Sequence, residues 1–597
     1  MIGWIILLIG ILITVGLIYL FRDDIQKWFK KNKKKATAVL TTGAILGAGG
    51  AGVMTDLLPG GYRPPTETLI SNSEGHYWSA TLANFKNAIY DLDNESGWVE
   101  LPICNITVTA GNGIHIPSDI EIRGQGFGTI LYLETNANES IFRNYSNAEI
   151  ENVVIRDLVI DGNGQNQPTP TDWFIGDYFV HCVAGMLFKH MNDSLIENVV
   201  FRDTRDGAFV IWESGDNVTV NNCRFYNIGK AWEGEAEGLE LYFPIGVHFQ
   251  ECNDVMVHGC YFNDVHGDCI VFEGGTGYDA DYCVISQCIM DDAYNGVWIE
   301  NAQNVVVSDC IATNMNKLEA YDDDEPSGYY GLNWKNLSFI NCQAHYCGNI
   351  GNSKGYGFLF GAGNGGTVLG CLTQNGHGDG YGVGGDNIII SNSISKDDND
   401  YGVICSAQGE NLKVIDNTIE GCGDGGIFIT AEANCIIRGN HIEDTGTYGI
   451  WLNSDDAIVS DNSIFNTDQH GIFCDGVSNS IVSNNWIHTV TDGGNDGIQL
   501  GTSWSSGTHN VSVIGNYIEN PNDDGIVLAN NARDCTVALN RILDGDEGVY
   551  EAAGCDYNEI IFNSIEGCSG TDIDTNGANT RVNCTDFDDW NFYSGVS

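Results

Sequence analysis

Val-Thr-Val-Asn-Asn-Cys-Arg-Phe at residues 218–225 and Ile-Ile-Arg-Gly-Asn-His-Ile at 436–442 are two versions of one recurring phrase. Each sets a short apolar strand before a Cys or Asn, continues with a second apolar group, and is followed by a polar turn. Aligning the returns of this phrase puts Asp157, Asn198, Cys223, Cys260, Cys288, Cys310, Cys342, Cys371, Asn392, Asn417, Asn440, Asn462, Asn485, Asn516, Asn540 and Asn563 in one column. The commonest step is 21 to 25 residues, with longer steps where loops are inserted. A period in this range identifies a solenoid, because each unit has an apolar face that only its neighbours can cover.

The units are strands rather than helices. They are short and rich in Val and Ile, and the chain holds 75 glycines and 10 prolines, a balance suited to many strands joined by tight turns. After its turn each unit carries a second phrase, seen as Gly-Ile-Phe-Ile at 426–429, Gly-Ile-Trp-Leu at 449–452, Gly-Ile-Phe-Cys at 471–474 and Gly-Ile-Gln-Leu at 497–500. The expected fold class is all-β, a right-handed parallel β-helix over residues 118–580, since parallel crossovers are almost always right-handed. Residues 59–117 form a linker and N-terminal cap, in which Leu82, Phe85, Ile89 and Leu92 have the spacing of an amphipathic helix over Thr81–Leu92. Residues 581–597 form a C-terminal cap or tail. Inward Asn residues in the column can stack on one another along the rod, and Cys fits the same slot as a small buried hydrophobe. Most of the twenty cysteines therefore read as buried free thiols, with Cys342–Cys347 and Cys555–Cys568 as the pairs close enough in sequence for disulfides. No CxxC cluster suggests a zinc site.

The first 58 residues read as a membrane anchor. Ile2 to Phe21 is uncharged and long enough to span a bilayer core of roughly 30 Å. A Lys-rich stretch follows, and Ala36 to Met54 is a second uncharged run. One span leaves the large domain cytoplasmic by the positive-inside bias, whereas two leave it outside. The second arrangement is favoured, giving a protein of the cell membrane with an extracellular domain. Beyond residue 58 stand 77 acids against 19 bases, a formal charge of −58, and the chain carries nine N-x-S/T sequons. So acidic a surface repels nucleic acid, which is excluded as a partner.

Gly-Trp-Val-Glu-Leu-Pro at 97–102 and Ile-Pro-Ser-Asp-Ile-Glu-Ile-Arg-Gly-Gln-Gly-Phe-Gly-Thr-Ile-Leu at 116–131 resemble the N-terminal start of the pectate-lyase-like β-helix superfamily, which includes polygalacturonases, pectate lyases and phage tailspikes. The later coils resemble the repeat of the same superfamily and of NosD-like proteins. The resemblance implies a fold and a polysaccharide partner, but one fold hosts many activities. In the polygalacturonase type, paired aspartates are followed by Gly-His-Gly and Arg-x-Lys. Here His266-Gly267-Asp268-Cys269 lacks the first aspartate, and Gly376-His377-Gly378-Asp379 has no Arg-x-Lys after it. Both segments read as ordinary repeat turns.

A different constellation emerges from the second phrase. Five successive strands align to end on Glu213, Gln250, Glu273, Glu300 and Lys335, with His248, Trp298 and Asn333 two residues earlier on the same outward side. Strand spacing puts Glu273 and Glu300 about 5 Å apart, the separation of the carboxylates in retaining glycosidases. Glu273, Glu300, Glu213 and His248 are the candidate catalytic residues, while Trp298, Lys335, Trp232 and Tyr242 are candidate substrate-binding residues. Inserted loops at 163–182, 229–243 and 317–330 supply aromatic walls. The activity requires no cofactor, although Asp322, Asp323 and Asp324 offer oxygen ligands for Ca²⁺, which pectate-lyase relatives use together with a basic residue; Lys335 and Arg205 are the nearest bases. Two functions follow. One is a surface-anchored glycoside hydrolase or polysaccharide lyase, and the other is a non-enzymatic adhesin or envelope protein.

Overall fold

The computed structural model describes residues 69–583 apart from the short stretches 93–95, 145–148, 168–183, 230–243, 276–279, 318–324, 350–354, 406–408, 431–433, 492–494, 502–506 and 530. The expected membrane segments at 2–21 and 36–54 lie outside the described residues. Among the described residues no helix is long and apolar enough to cross a membrane.

Each coil has three strands. In one coil of the C-terminal half they are Ile436–Arg438, His441–Thr445 and Ile450–Leu452. The next coil lies parallel and in register on all three faces, with Ile437 opposite Val459, Ile442 opposite Ile464 and Trp451 opposite Phe473. The recurring phrase is thus two strands joined by a corner, and the second phrase is the third strand. A residue in the left-handed region makes that corner, as at Asn222, Asp309, Asn341, Asp416, Asp461 and Asn484, with φ between 52° and 56°. Asn, Asp and Gly meet that conformation at the lowest steric cost, which is why they recur there.

Parallel pairing starts earlier than residue 118. Gly97–Glu100 already lies against Ile120–Arg123, and Cys104–Val108 against Thr129–Leu133. The last pairing among the described residues joins Glu559–Ile561 to Arg581–Asn583. At the N-terminal end Leu69–Asn72 runs antiparallel to both Tyr77–Ser79 and Gly97–Glu100. The helix Leu82–Tyr90, capped by the Thr81 hydroxyl, buries Phe85, Ala88 and Ile89. Phe85 packs edge-on against Phe142 at 6.3 Å, so the helix covers the open apolar end of the first coils.

The core is a set of vertical stacks. Phe201, Phe225 and Phe262 lie face to face at 4.9 and 4.4 Å. In the column, Asn417, Asn440, Asn462, Asn485, Asn516, Asn540 and Asn563 form an unbroken ladder, each amide nitrogen donating to the next side-chain oxygen at 2.9 to 3.0 Å. Towards the N-terminus Ser393 continues it, accepting from the Cys371 amide at 3.2 Å and donating its own backbone N–H to Asn417 at 2.9 Å. Beyond Ser393 the column is made of buried thiols from Cys371 to Cys223. Asn392, Asn198 and Asp157 stand one position earlier than the alignment placed them, at the left-handed corner, where φ is 51°, 54° and 59°. A sequence match on Asn cannot separate these neighbouring slots, because both favour the same residue for different reasons. All described cysteines are free, so neither Cys342–Cys347 nor Cys555–Cys568 is bridged.

A second tie runs along the corner that opens the third strand. Asp268 accepts from the Asn295 side chain at 2.8 Å, and Asn295 in turn accepts from the Ser327 amide at 2.7 Å. Asp379 accepts from the Tyr401 amide, Asp496 from that of Asp524, and Asp524 from that of Glu547. Burial pushes the carboxyl groups of Asp268, Asp379 and Asp496 up to about 7. Their pKa values in the folded chain therefore exceed the unfolded value, and stability present at low pH is lost as pH rises through about 7. His115 and His470, held near 4 by burial, act in the opposite sense as pH falls through about 6.5. Between pH 8 and 6.5 the carboxylates outweigh them, at roughly 1 kcal/mol for each acid against about 0.4 kcal/mol for each histidine. The apparent unfolding midpoint is expected to rise on going from pH 8 to pH 6.5, and Asp268→Asn should flatten part of the rise. A midpoint that falls over this interval would contradict the assignment.

Candidate active site

The candidate strip lies on the outward side of the third strands Gly207–Asn221, Ile245–Gln250, Ile270–Glu273, Val297–Glu300 and Ser327–Leu332. Alternation sends Phe249, Phe272 and Ile299 into the core, where all three are fully buried. Their neighbours face out. Register puts Val210, His248, Val271, Trp298 and Tyr330 in one outward row. The next outward row holds Gln250, Glu273, Glu300 and Leu332.

Glu273 and Glu300 are therefore direct neighbours on adjacent parallel strands, about 4.8 Å apart along the stack. They have different partners. Glu273 receives His248 Nε2 at 3.1 Å, and the His248 ring is buried with Trp212 edge-on to it at 5.9 Å. Glu300 accepts from the Trp298 indole N–H at 3.3 Å. Burial raises the Glu300 pKa; the indole bond works against this, and the charge on Glu273 adds to it. Trp298 is half-buried and stacks on Tyr330 at 4.4 Å with 19° between the rings. One carboxylate thus sits beside a potential cation, while the other sits beside an indole and a like charge. The two acids therefore stand in different surroundings.

Two residues of the aligned strip stand elsewhere. Trp212 and Glu213 together face a single residue of the preceding strand, because the register shifts between Phe188 and His190. This β-bulge holds Glu213 at φ 94° and aims it at Lys189, 2.7 Å away, and His190, 3.3 Å away. Glu213 is thus neutralised away from the pair, and an alignment without gaps cannot see the extra residue. Lys335 belongs to the strand Trp334–Ile340, opposite Gln303 and Asn364, beyond a corner at Asn333. The residue opposite Glu300 is Leu332. Lys335 is exposed but on a different face. The Leu-Asn-Trp-Lys match failed because Trp334 is an inward residue of the following strand, buried to 1%. Arg205 is buried at 2% exposure against Asp206, so it presents no base to the strip.

Trp232, Tyr242, Asp322, Asp323 and Asp324 lie outside the described residues, as does most of the three inserted loops. Among the described residues, two groups bring three potential metal ligands together: Glu74, His76 and Asp91, and Asp496, Asp523 and Asp524. Neither belongs to the strip. The sequence reading counted Tyr330 only as a loop aromatic. Its pairing with Trp298 becomes legible once Gly-Tyr-Tyr-Gly at 328–331 is aligned as a third strand with Tyr329 inward.

Residues 245–358 and 356–506 match the family described as "Right handed beta helix region". No curated protein matches the chain in sequence. Among solved structures, the N-terminal fragment of bacteriophage phi29 gene product 12 is similar at 11% identity, covering 84% of this chain and 92% of its own, with a TM-score of 0.48. An exopolygalacturonase from Thermotoga maritima is similar at 11% identity, with 68% and 87% covered and a TM-score of 0.30. A mannuronan C-5 epimerase A-module from Azotobacter vinelandii is similar at 14% identity, with 84% and 99% covered and a TM-score of 0.24. Likenesses this distant carry no information on activity.

Proposed function

We propose, from the right-handed parallel β-helix matched over residues 245–506 and the resemblance of its N-terminal start to the pectate-lyase-like superfamily, that this chain binds polysaccharide along the third-strand face and cleaves it at Glu273 and Glu300. The observation that carries the reading is the register pairing of these two carboxylates, with Glu300 shifted upward by burial and by its neighbour. Glu300 is the general acid, protonating the leaving glycosidic oxygen. Glu273, hydrogen-bonded to His248, faces the anomeric carbon as nucleophile or charge stabiliser, in the close spacing of a retaining mechanism. Trp298, backed by Tyr330, offers a ring face to one sugar. A lyase reading is less favoured, because neither Lys335 nor Arg205 reaches the strip as a base.

Trp298→Ala is expected to weaken glycan binding by roughly ten- to a hundredfold, corresponding to about 1 to 3 kcal/mol for a buried apolar side chain. Isothermal titration with the glycan that the wild type binds would measure it, and an unchanged affinity would remove Trp298 from the site. Adhesion without turnover is the outcome expected if the pair is a solvated acidic face.

The two apolar runs before residue 55 and the acidic domain after them support an anchored protein whose domain faces outward. Protease applied to intact cells should then digest the domain. Its full protection would place it inside.

A further inference from the structure

The outward row that contains Trp298 and Tyr330 does not end with them. Register carries it on through Leu359, Gly382, Ile404, Phe428, Trp451, Phe473 and Gln499. At Gly382, where the row has no side chain, the Tyr356 ring lies over the gap, since a Cβ there would meet its Cδ1 at 2.5 Å. Four coils beyond Tyr330 the row becomes a cluster of rings. Phe428 lies 4.9 Å from Tyr401 and 4.8 Å from Trp451, and Trp451 lies 4.9 Å from Tyr448. Phe473 closes the cluster, stacked on Tyr448 at 5.2 Å. Phe428, Trp451, Tyr401 and Tyr448 are all partly exposed, although the core positions between them, Ile427, Ile450 and Ile472, are fully buried. The Trp451 indole N–H has no hydrogen-bond partner.

The electrostatics of this face are one-sided. Asp379, Asp400 and Asp424 act on Tyr401, and Asp475 acts on Tyr448. From Val297 to Leu500 the described third strands contain no Lys or Arg. Among the described cations of these coils, Lys396 is bound to Glu420 and Arg438 to Asp461 on other faces. A polyuronate laid on this row would bring carboxylates against carboxylates, with no Lys or Arg on the described third strands to receive them. An uncharged sugar instead presents an apolar C–H face to the rings and hydroxyls to the flanking acids.

We propose that the Tyr401–Phe428–Trp451–Tyr448 cluster is a second glycan subsite, and that the polymer crossing it to the Glu273–Glu300 pair is uncharged. The inference rests on the reading of that pair as a polysaccharide site and adds both the substrate class and its track. Trp298 and Trp451 are six coil steps apart, roughly 29 Å. Chains too short to cover that distance should reach one subsite only.

The test is affinity against chain length on the full chain, using mannan, xylan, galactan and β-glucan fragments beside polygalacturonate and alginate. The expected result is that one uncharged polymer binds at least tenfold more tightly when long than when short. Trp451→Leu and Phe428→Leu, which keep apolar bulk but lose the ring face, should abolish that gain. If both variants fold, as judged by thermal unfolding, and keep the full length dependence, the second subsite is wrong while the Glu pair stands. Should either variant not fold, Trp451→Phe, expected to lose part of the gain, decides in its place. Tighter binding of a polyuronate overturns the substrate class alone. Failure of every glycan to bind the wild type overturns this proposal together with the reading it rests on.

Discussion

Glu300→Gln is expected to reduce glycan turnover by about a hundred- to ten-thousandfold, the range supplied by a positioned general acid. The substitution keeps the shape of the side chain and its acceptance of the Trp298 indole bond, but it removes the titratable proton of a carboxyl group whose pKa burial and the charge on Glu273 raise. Stability should change little or rise, because a partly buried acid next to a like charge is lost. Glu273→Gln should be comparably damaging for the opposite reason, since the group facing His248 must carry charge. The pH profile separates the two roles. Loss of the acid limb belongs to the Glu273 variant, and loss of the alkaline limb to Glu300→Gln. Turnover surviving in both variants would dismiss the pair as catalytic and leave a binding surface.

Asn485→Ala is expected to be the most damaging single change to the C-terminal half, at about 3 to 6 kcal/mol. Its amide nitrogen donates to Val459 O and Asn516 Oδ1, while its oxygen accepts from the backbone and side chain of Asn462. Alanine strands donors in Asn462 and an acceptor at Val459, all in a dry interior where water cannot replace the lost partner. Asn485→Ser should cost less, because the column already accepts serine at position 393, where the hydroxyl takes one amide and donates to Ser391 O. Urea unfolding followed by circular dichroism would rank the variants. An alanine variant as stable as the wild type would mean that the ladder is decorative.

The solenoid was legible because its period is carried by residues under strong physical constraint. An inward Asn, a left-handed corner and a glycine before the third strand each admit few substitutes, so the column from Asn417 to Asn563 could be read directly. Where two adjacent slots favour the same residue, the reading slipped by one, as at Asn392. The Glu273–Glu300 pairing was likewise legible, because both strands are regular and close in sequence. Glu213 and Lys335 were misplaced because a bulge and a corner break the two-residue alternation locally, and neither leaves a mark in composition. Of the ring cluster from Tyr401 to Phe473, only Phe428, Trp451 and Phe473 were visible, as an aromatic after Ile in the second phrase. Which side of the sheet it faced became clear only once the inward residues were known.

The change in the column at Ser393 divides the interior into two chemistries. On the C-terminal side the stack is held by amides, which are chemically inert. On the N-terminal side it is lined by thiols, and burial pushes Cys260, Cys269 and Cys288 far above the range in which a thiolate forms. Thiolate is the reactive species, so a closed coil is silent towards alkylating and oxidising reagents. A coil that opens gains a nucleophile for as long as it stays open. The column thiols of the first half of this solenoid therefore serve as a clock for local breathing, read coil by coil from the order in which they acquire a label, and in the second half the same readout comes from buried thiols outside the column, such as Cys422, Cys435 and Cys474.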